Sequence, residues 1–124
     1  MKPISVLVVD DNPTFLRIVT RFLQEHEEIK VVGSVNGGEE ALARMPELRP
    51  DVILIDLAMP NMSGMEAILR LRPAWPKVRI IALTLLDTDS YRQAALSAGA
   101  DDFIPKTNLN TALLPAIQQV AGRS

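Results

Sequence analysis

Residues 6–12 read Val-Leu-Val-Val-Asp-Asp-Asn, a run of strand formers that ends in two adjacent carboxylates. A strand that is apolar on nearly every residue is typical of a parallel sheet covered on both faces. Two like charges about 4 Å apart repel each other by roughly 4 kcal/mol at an effective dielectric constant near 20. The stretch therefore predicts a buried strand, and it requires a partner that offsets the repulsion between Asp10 and Asp11.

Four further apolar runs follow the first, and segments with helical spacing separate them. The predicted strands span residues 4–9, 29–35, 52–55, 78–83 and 102–104. Right-handed crossovers between parallel strands limit the arrangements that such an alternation can adopt. The pattern predicts an α/β fold, a doubly wound (βα)5 sandwich around a parallel five-stranded sheet.

The composition predicts one domain that spans residues 1–124. The chain is 48% hydrophobic, carries a net charge of −2 and contains no cysteine, which excludes disulfides and thiolate metal sites. No apolar run approaches the roughly 18 residues that a membrane-spanning helix needs. We therefore expect a cytoplasmic protein that has no membrane contact and does not itself bind nucleic acid.

Prolines and caps predict where several helices begin and end. Asn12 and Pro13 fit the cap and the first position of a helix. Its predicted core-facing stripe consists of Phe15, Ile18, Val19, Phe22 and Leu23. The third helix is expected to stop before Pro73. Because Pro115 would cost about 3 kcal/mol deep inside a helix, the last helix is expected to begin at residue 110 or 111, or to bend.

Ionisable and hydroxyl side chains follow four of the predicted strands. Asp10 and Asp11 follow the first strand, Asp56 the third, Thr84 the fourth and Lys106 the fifth. The carboxyl ends of parallel strands share one edge of a sheet, where ligands of doubly wound folds bind. Capping explains at most one of the two adjacent acids, because the residue after them already supplies a cap. We expect these five side chains to converge on one site.

Three converging carboxylates form an all-oxygen ligand set, which suits Mg²⁺. The cation would offset the repulsion between Asp10 and Asp11. With a metal and Lys106 to balance the charge of a phosphoryl group, Asp56 can act as a nucleophile and form an aspartyl phosphate. The Thr84 hydroxyl could then donate a hydrogen bond to a phosphoryl oxygen.

Over nearly its whole length the chain resembles the receiver domain of two-component response regulators, the CheY-like family. The motifs that carry the resemblance are residues 6–11, 50–56, 59–60, 64, 81–84, 98–100 and 103–106. The resemblance implies the strand order 2-1-3-4-5. It also implies a signalling protein that a histidine kinase phosphorylates in a phosphorelay.

The resemblance implies a role for each matching residue. Asp56 corresponds to the phosphoacceptor, and the implied Mg²⁺ ligands are Asp10, Asp11, Asp56 and the backbone carbonyl of Ala58. Thr84 and Lys106 correspond to the groups that contact the phosphoryl group, and the implied switch residues are Thr84 and Phe103. Ala58 and Leu86 occupy the positions that tune phosphoryl lifetime, and neither apolar side chain can orient an attacking water.

Residues 10–13 and 117–124 are most similar to the subgroup in which the receiver precedes a LuxR-type helix-turn-helix domain. This implies that residues 121–124 begin an interdomain linker and that a C-terminal DNA-binding domain is absent from this chain. The implied output is transcription regulation, through a homodimer that forms on phosphorylation. The face of the fourth helix, fifth strand and fifth helix would carry the switch, with contributions from Leu85, Leu86, Tyr91, Leu109 and Leu113.

The implied protein is not an enzyme but a phosphoacceptor, with at most self-catalysed phosphoryl transfer and slow autodephosphorylation. Alternatives are a stand-alone receiver that acts by protein contact and a receiver-fold binding module that is insensitive to phosphorylation. An aspartate-nucleophile phosphatase usually has a second acid two residues after the nucleophile, and Ala58 stands there. A flavodoxin-like cofactor site is disfavoured because Asp10 and Asp11 would repel a phosphate after the first strand.

Overall fold

The computed structural model describes residues 2–86 and 88–122, which form a parallel sheet flanked by helices. Its elements are β1 (Ile4–Val9), α1 (Pro13–Gln24), β2 (Ile29–Val35), α2 (Gly38–Leu48), β3 (Val52–Asp56), α3 (Gly64–Ala74), β4 (Arg79–Thr84), α4 (Asp89–Ala98), β5 (Asp102–Pro105), a 3-10 turn (Lys106–Asn108) and α5 (Leu109–Val120). The strand order is β2-β1-β3-β4-β5. The predicted fold class and topology are confirmed.

Helices cover both faces of the sheet, which explains why its strands are apolar on nearly every residue. In β1, Leu7 and Val9 pack into one core with residues of α2, α3 and α4. Val6 and Val8 pack into a second core, with residues of α1 and α5. All four side chains are fully buried. The sheet is thus held from both sides, and its carboxyl edge has a fixed position.

The start of α1 confirms the predicted cap. The side-chain oxygen of Asn12 accepts hydrogen bonds from the backbone N–H groups of Thr14 and Phe15 at 2.9 and 3.1 Å. The predicted stripe is wrong at Ile18, whose side chain is 61% exposed. Ile18 precedes the buried Val19 by one residue and therefore lies about 100° around the helix from it.

Two helix boundaries differ from the prediction because prolines are tolerated inside helices. Helix α3 continues through Pro73 to Ala74, so the proline lies in its last turn. Helix α5 begins at Leu109, which places Pro115 at its seventh position. Proline removes the hydrogen bond to the carbonyl four residues earlier. For Pro115 that residue is Thr111, which is exposed, so water can satisfy the carbonyl.

None of the helices within residues 2–86 and 88–122 has both the length and the apolar character that a bilayer crossing demands.

Candidate functional site

The site residues expected from the strand ends lie together at the carboxyl edge of the sheet. Asp10 directly follows β1, Asp56 and Thr84 end β3 and β4, and Lys106 directly follows β5. Asp10, Asp56 and Thr84 make up the buried polar and charged side chains of the described residues. Since burying a polar group is costly unless it is paired, their concentration at one edge marks this place as a site.

The three acids form a cluster that can hold a metal ion. Asp10, Asp11 and Asp56 each offer a carboxylate oxygen, and these oxygens all lie within 4.8 Å of one another. Asp10 and Asp56 are 1% and 5% exposed, whereas Asp11 is exposed. All donors are carboxylate oxygens, which hard divalent cations such as Mg²⁺ prefer. The buried pair fixes the floor of the cluster, and Asp11 forms its solvent side.

Lys106 compensates part of this negative charge. Its Nζ lies 2.7 Å from Oδ2 of Asp10 and 3.4 Å from Oδ1 of Asp56. One cation facing three carboxylates leaves a deficit of two positive charges, which is the charge of one Mg²⁺. The residues present therefore fit a bound divalent cation, by charge as well as by donor type.

The pKa of the Asp56 carboxyl is raised by its surroundings. Burial raises the pKa of the Asp56 carboxyl above its ordinary value of 3.8, and the negative charge of Asp10 raises it further. Lys106 and a hydrogen bond from the backbone N–H of Ala58 oppose this rise without cancelling it. The negative charge of Asp56 is thus only partly compensated, and a bound cation would stabilise it.

Gly64 allows the backbone to pack closely behind Asp56. A Cβ atom at position 64 would lie 2.0 Å from the carbonyl oxygen of Asp56. The Gly64 N–H donates to the carbonyl oxygen of Leu57 at 3.0 Å, and the Leu57 N–H donates to Leu83 at 3.0 Å. The loop after β3 is thereby tied both to the start of α3 and to β4. This arrangement fixes the direction in which the Asp56 side chain leaves the strand.

The predicted switch residues are both buried. The Oγ1 of Thr84 accepts a hydrogen bond of 2.9 Å from the backbone N–H of Leu86, and its O–H remains available as a donor. The Phe103 ring is 2% exposed, and the guanidinium of Arg92 lies 4.9 Å from the ring centroid. The ring therefore occupies an inward position without any modification of Asp56.

The predicted surface contributors do not all lie at the surface. Leu85 and Leu86 are 74% and 50% exposed. Tyr91 and Leu109 are half-buried. Leu113 belongs to the core beside α1 and is fully covered, because it faces the sheet from α5. Leu113 therefore cannot contribute to a docking face.

Sequence reasoning missed the contact between Phe15 and Lys106. The predicted stripe placed this residue in the core, and its side chain does pack against the core beside α1. Its ring also faces the site, with Nζ of Lys106 4.0 Å from the ring centroid. The signal that could have revealed it is its place in the first turn of α1, which starts at the carboxyl edge of the sheet.

Comparison with known proteins agrees with this geometry. The family model described as the response regulator receiver domain matches residues 6–118. The chain belongs to this family. Receiver domains bind Mg²⁺ at an acidic pocket and interact with histidine kinases, and this receiver has the corresponding cluster of three acids.

Two relatives and one solved structure illustrate the similarity. The receiver is 38% identical to the response regulator GacA of Pseudomonas viridiflava over 103 residues, which cover 83% of the chain and 48% of the relative. It is 41% identical to a protein-glutamate methylesterase/protein-glutamine glutaminase of Idiomarina loihiensis over 104 residues, covering 83% of the chain and 27% of the relative. A LuxR-family response regulator from Aurantimonas sp. SI85-9A1 superposes with a TM-score of 0.92 at 27% identity, covering 98% of the chain and 88% of the other.

The receiver spans about half the length of GacA and about a quarter of the methylesterase. Receiver domains are generally not enzymes themselves, and in the second relative the receiver is fused to another domain.

Proposed function

We propose that Asp56 of this receiver accepts a phosphoryl group from a sensor histidine kinase, or from a small phosphodonor, in a Mg²⁺-dependent reaction. The observation that carries the proposal is the position of Asp56, a buried carboxylate that shares the Lys106 ammonium group with Asp10 in a cluster that lacks two positive charges. A carboxylate placed in this way can serve as the nucleophile in phosphoryl transfer.

Asp56, Lys106 and Thr84 have different roles in the proposed transfer. A carboxylate oxygen of Asp56 forms the new bond to phosphorus while the bond from phosphorus to the donor atom breaks, and the leaving group takes up a proton from solvent. Lys106 is close enough to Asp56 to follow the charge onto the phosphoryl oxygens. The Thr84 O–H is the second donor to the phosphoryl oxygens. Its oxygen already accepts a hydrogen bond from the Leu86 N–H, and its hydrogen remains available.

Asp10, Asp11, Asp56 and the backbone carbonyl of Ala58 are the residues that would hold Mg²⁺, which when bound stabilises the charge that develops on the phosphoryl group. Asp11 is the exposed member of the cluster and leaves it open to solvent and donor on one side. The two apolar tuning residues, Ala58 and Leu86, are exposed. Neither offers a group that orients water, so we expect the aspartyl phosphate to hydrolyse slowly.

The acceptor is tested by incubating the protein with acetyl phosphate and Mg²⁺ and measuring the intact mass. Wild type is expected to gain one phosphoryl group, and Asp56→Asn none. Asp89→Asn is the matched control, because Asp89 is an exposed acid in the first turn of α4 outside the cluster. Labelling of Asp56→Asn to the same extent as wild type would show that the acceptor is misassigned.

We further propose that phosphorylation changes the face formed by α4, β5 and α5. The Thr84 O–H would donate a hydrogen bond to the phosphoryl group, and this bond would move the Thr84 side chain. Because the Thr84 oxygen also accepts from the Leu86 N–H, the movement would reach the exposed Leu85 and Leu86. Because Phe103 is already inward, the change is expected to be larger in the loop after β4 than at the ring. This is a two-state equilibrium biased by one modification.

Beryllofluoride with Mg²⁺, which mimics the phosphoryl group, tests this switch. Amide NMR shifts are expected at Thr84, Leu86 and Phe103, and sedimentation is expected to show a homodimer. The absence of shifts at these three residues would refute the switch, and a monomer with shifts would refute only the dimer.

The proposed output is transcription regulation in the cytoplasm by a DNA-binding domain that follows the receiver. The LuxR-family structural neighbour and the length of GacA beyond its receiver support it. The predicted linker at residues 121–124 falls partly outside the described residues, since Arg123 and Ser124 are not among them. Ala121 and Gly122 form a turn after α5, where such a linker would start.

A further inference from the structure

The ammonium group of Lys106 has three neighbours in the structure. Two are the carboxylates of Asp10 and Asp56, at 2.7 and 3.4 Å. The third is the ring of Phe15, whose centroid lies 4.0 Å from Nζ. The lysine side chain is 11% exposed, so the ring acts on a largely desolvated cation, where the attraction between a cation and an aromatic face is strongest.

Phe15 belongs to a closed circuit of contacts around the site. Oδ1 of Asp10 accepts from the Asn12 N–H at 2.9 Å, and the Asn12 side chain accepts from the Phe15 N–H at 3.1 Å. The Phe15 ring contacts Lys106, and Lys106 donates back to Oδ2 of Asp10. The same acid thus anchors both the turn that carries the ring and the cation on which the ring acts.

We propose that Phe15 is a positioning residue for Lys106, holding its ammonium group above the acid cluster where it meets the incoming phosphoryl oxygens. The inference rests on the proposed phosphorylation of Asp56. On transfer, the Asp56 oxygen that becomes bonded to phosphorus loses its negative charge, and the charge moves outward onto the phosphoryl group. Lys106 must then reorient while it keeps its contact with Asp10, and the ring restricts this movement to an arc over the cluster.

An aliphatic side chain at position 15 would fill the space without the negative face that attracts a cation. Phe15→Leu therefore removes the interaction with Lys106 while largely keeping the packing of α1, and Phe15→Tyr keeps both. Phe22→Leu is the matched control. It makes the same substitution on the same helix and beside the same core, but the Phe22 ring lies against His26, 5.2 Å between centroids.

The first test observes Lys106 directly and needs neither metal nor phosphate. The chain contains four lysines, at positions 2, 30, 77 and 106, so NMR of lysine-labelled protein resolves each side chain. In wild type, Phe22→Leu and Phe15→Tyr, the terminal methylene protons of Lys106 are expected upfield of the other three lysines, because they lie over an aromatic face. In Phe15→Leu this displacement is expected to disappear. An undisplaced Lys106 signal in wild type would overturn the proposal, whether or not any variant folds.

The second test measures phosphorylation from acetyl phosphate and the affinity for beryllofluoride, both with saturating Mg²⁺. Phe15→Leu is expected to lower the phosphorylation rate constant and the affinity by about three- to thirtyfold, the range given by one cation–aromatic interaction. Phe15→Tyr and Phe22→Leu are expected to stay within about twofold of wild type.

Equal rates and affinities in wild type and Phe15→Leu would overturn the proposal, and so would an equal loss in Phe22→Leu, which would assign the effect to packing. Failure of wild type to be labelled at Asp56 would instead overturn the proposed function. The two failures are distinguishable, because the lysine spectra do not depend on phosphorylation.

Discussion

Replacing Asp56 by asparagine should make the metal-free protein more stable, although it removes the proposed acceptor. At an effective dielectric constant near 20, each of the repulsions between Asp56 and the other two acids, across at most 4.8 Å, is at least about 3.5 kcal/mol. The attraction to Lys106 at 3.4 Å is about 5 kcal/mol on the same scale. The repulsions exceed the attraction, and solvent around the exposed Asp11 reduces the excess to about 1–2 kcal/mol.

Asparagine is nearly isosteric with aspartate, and its oxygen can still accept from the Ala58 N–H. We therefore expect Asp56→Asn to raise the melting temperature in EDTA by about 4–8 °C, from the usual relation for a domain of this size. Millimolar Mg²⁺ should stabilise wild type more than the variant, because binding to the folded state stabilises it and the variant lacks one ligand. The gap should shrink or reverse when the metal is added.

The pH dependence of this gap has a definite sign. Because the pKa of Asp56 is raised in the folded state, the folded protein binds more protons than the unfolded chain between pH 3.8 and the raised pKa. The Asp56 carboxyl therefore destabilises the folded state increasingly as pH rises through this window, and Asp56→Asn lacks this contribution. In EDTA, the greater stability of Asp56→Asn over wild type should appear above pH 3.8 and disappear below it.

Thermal unfolding followed by circular dichroism, in EDTA and in Mg²⁺, measures these differences. Asp89→Asn removes an exposed acid outside the cluster and should change stability by less than about 0.5 kcal/mol in either buffer. The reasoning is refuted if Asp56→Asn is no more stable than wild type in EDTA, or if Mg²⁺ leaves the gap unchanged.

Three further predictions follow from contacts at and away from the site. Gly64→Ala should lower the free energy of unfolding by more than about 2 kcal/mol in urea titrations, because the added Cβ meets the Asp56 carbonyl oxygen, and a smaller loss would contradict the close approach. Arg72→Ala should cost about 2–4 kcal/mol by the same measurement, since its guanidinium donates to Asp101 and to several backbone carbonyls, and a near-neutral result would show that water replaces them. Trp75 fluorescence should not change when Mg²⁺ binds, because Trp75 lines a groove at the amino edge of the sheet, and a large quench would be inconsistent with the proposed metal site.

The topology could be predicted because its signals are local and redundant. Strands β1, β3 and β4 are buried on nearly every residue, and the predicted cap Asn12 is used as such at the start of α1. The predictions were wrong where the surroundings of a residue outweighed its local sequence preference. Pro115 lies inside α5 because the carbonyl it leaves unpaired is at the surface, and Ile18 is exposed because the covered stripe of α1 is narrower than its apolar pattern.

The acids, Thr84 and Lys106 could be predicted to converge because parallel strands bring consecutive strand ends to one edge. Their mutual distances could not, because they depend on side-chain geometry. From sequence, the repulsion was assigned to the adjacent pair Asp10 and Asp11. The structure shows that Lys106 already lies on Asp10 at 2.7 Å, and that the raised pKa falls on Asp56.

The unequal distances from Lys106 to the two carboxylates bear on the proposed phosphoryl transfer. Lys106 lies closer to Asp10 than to Asp56, so the proposed bond between an Asp56 oxygen and phosphorus disrupts the longer and weaker of its two ion pairs. If Lys106 lay equally close to Asp56, transfer would have to disrupt that contact, and the barrier would rise by part of its energy. The 2.7 Å and 3.4 Å distances therefore favour the proposed transfer, and the proposed role of Phe15, whose ring centroid lies 4.0 Å from Nζ, is to hold this ammonium group over the cluster.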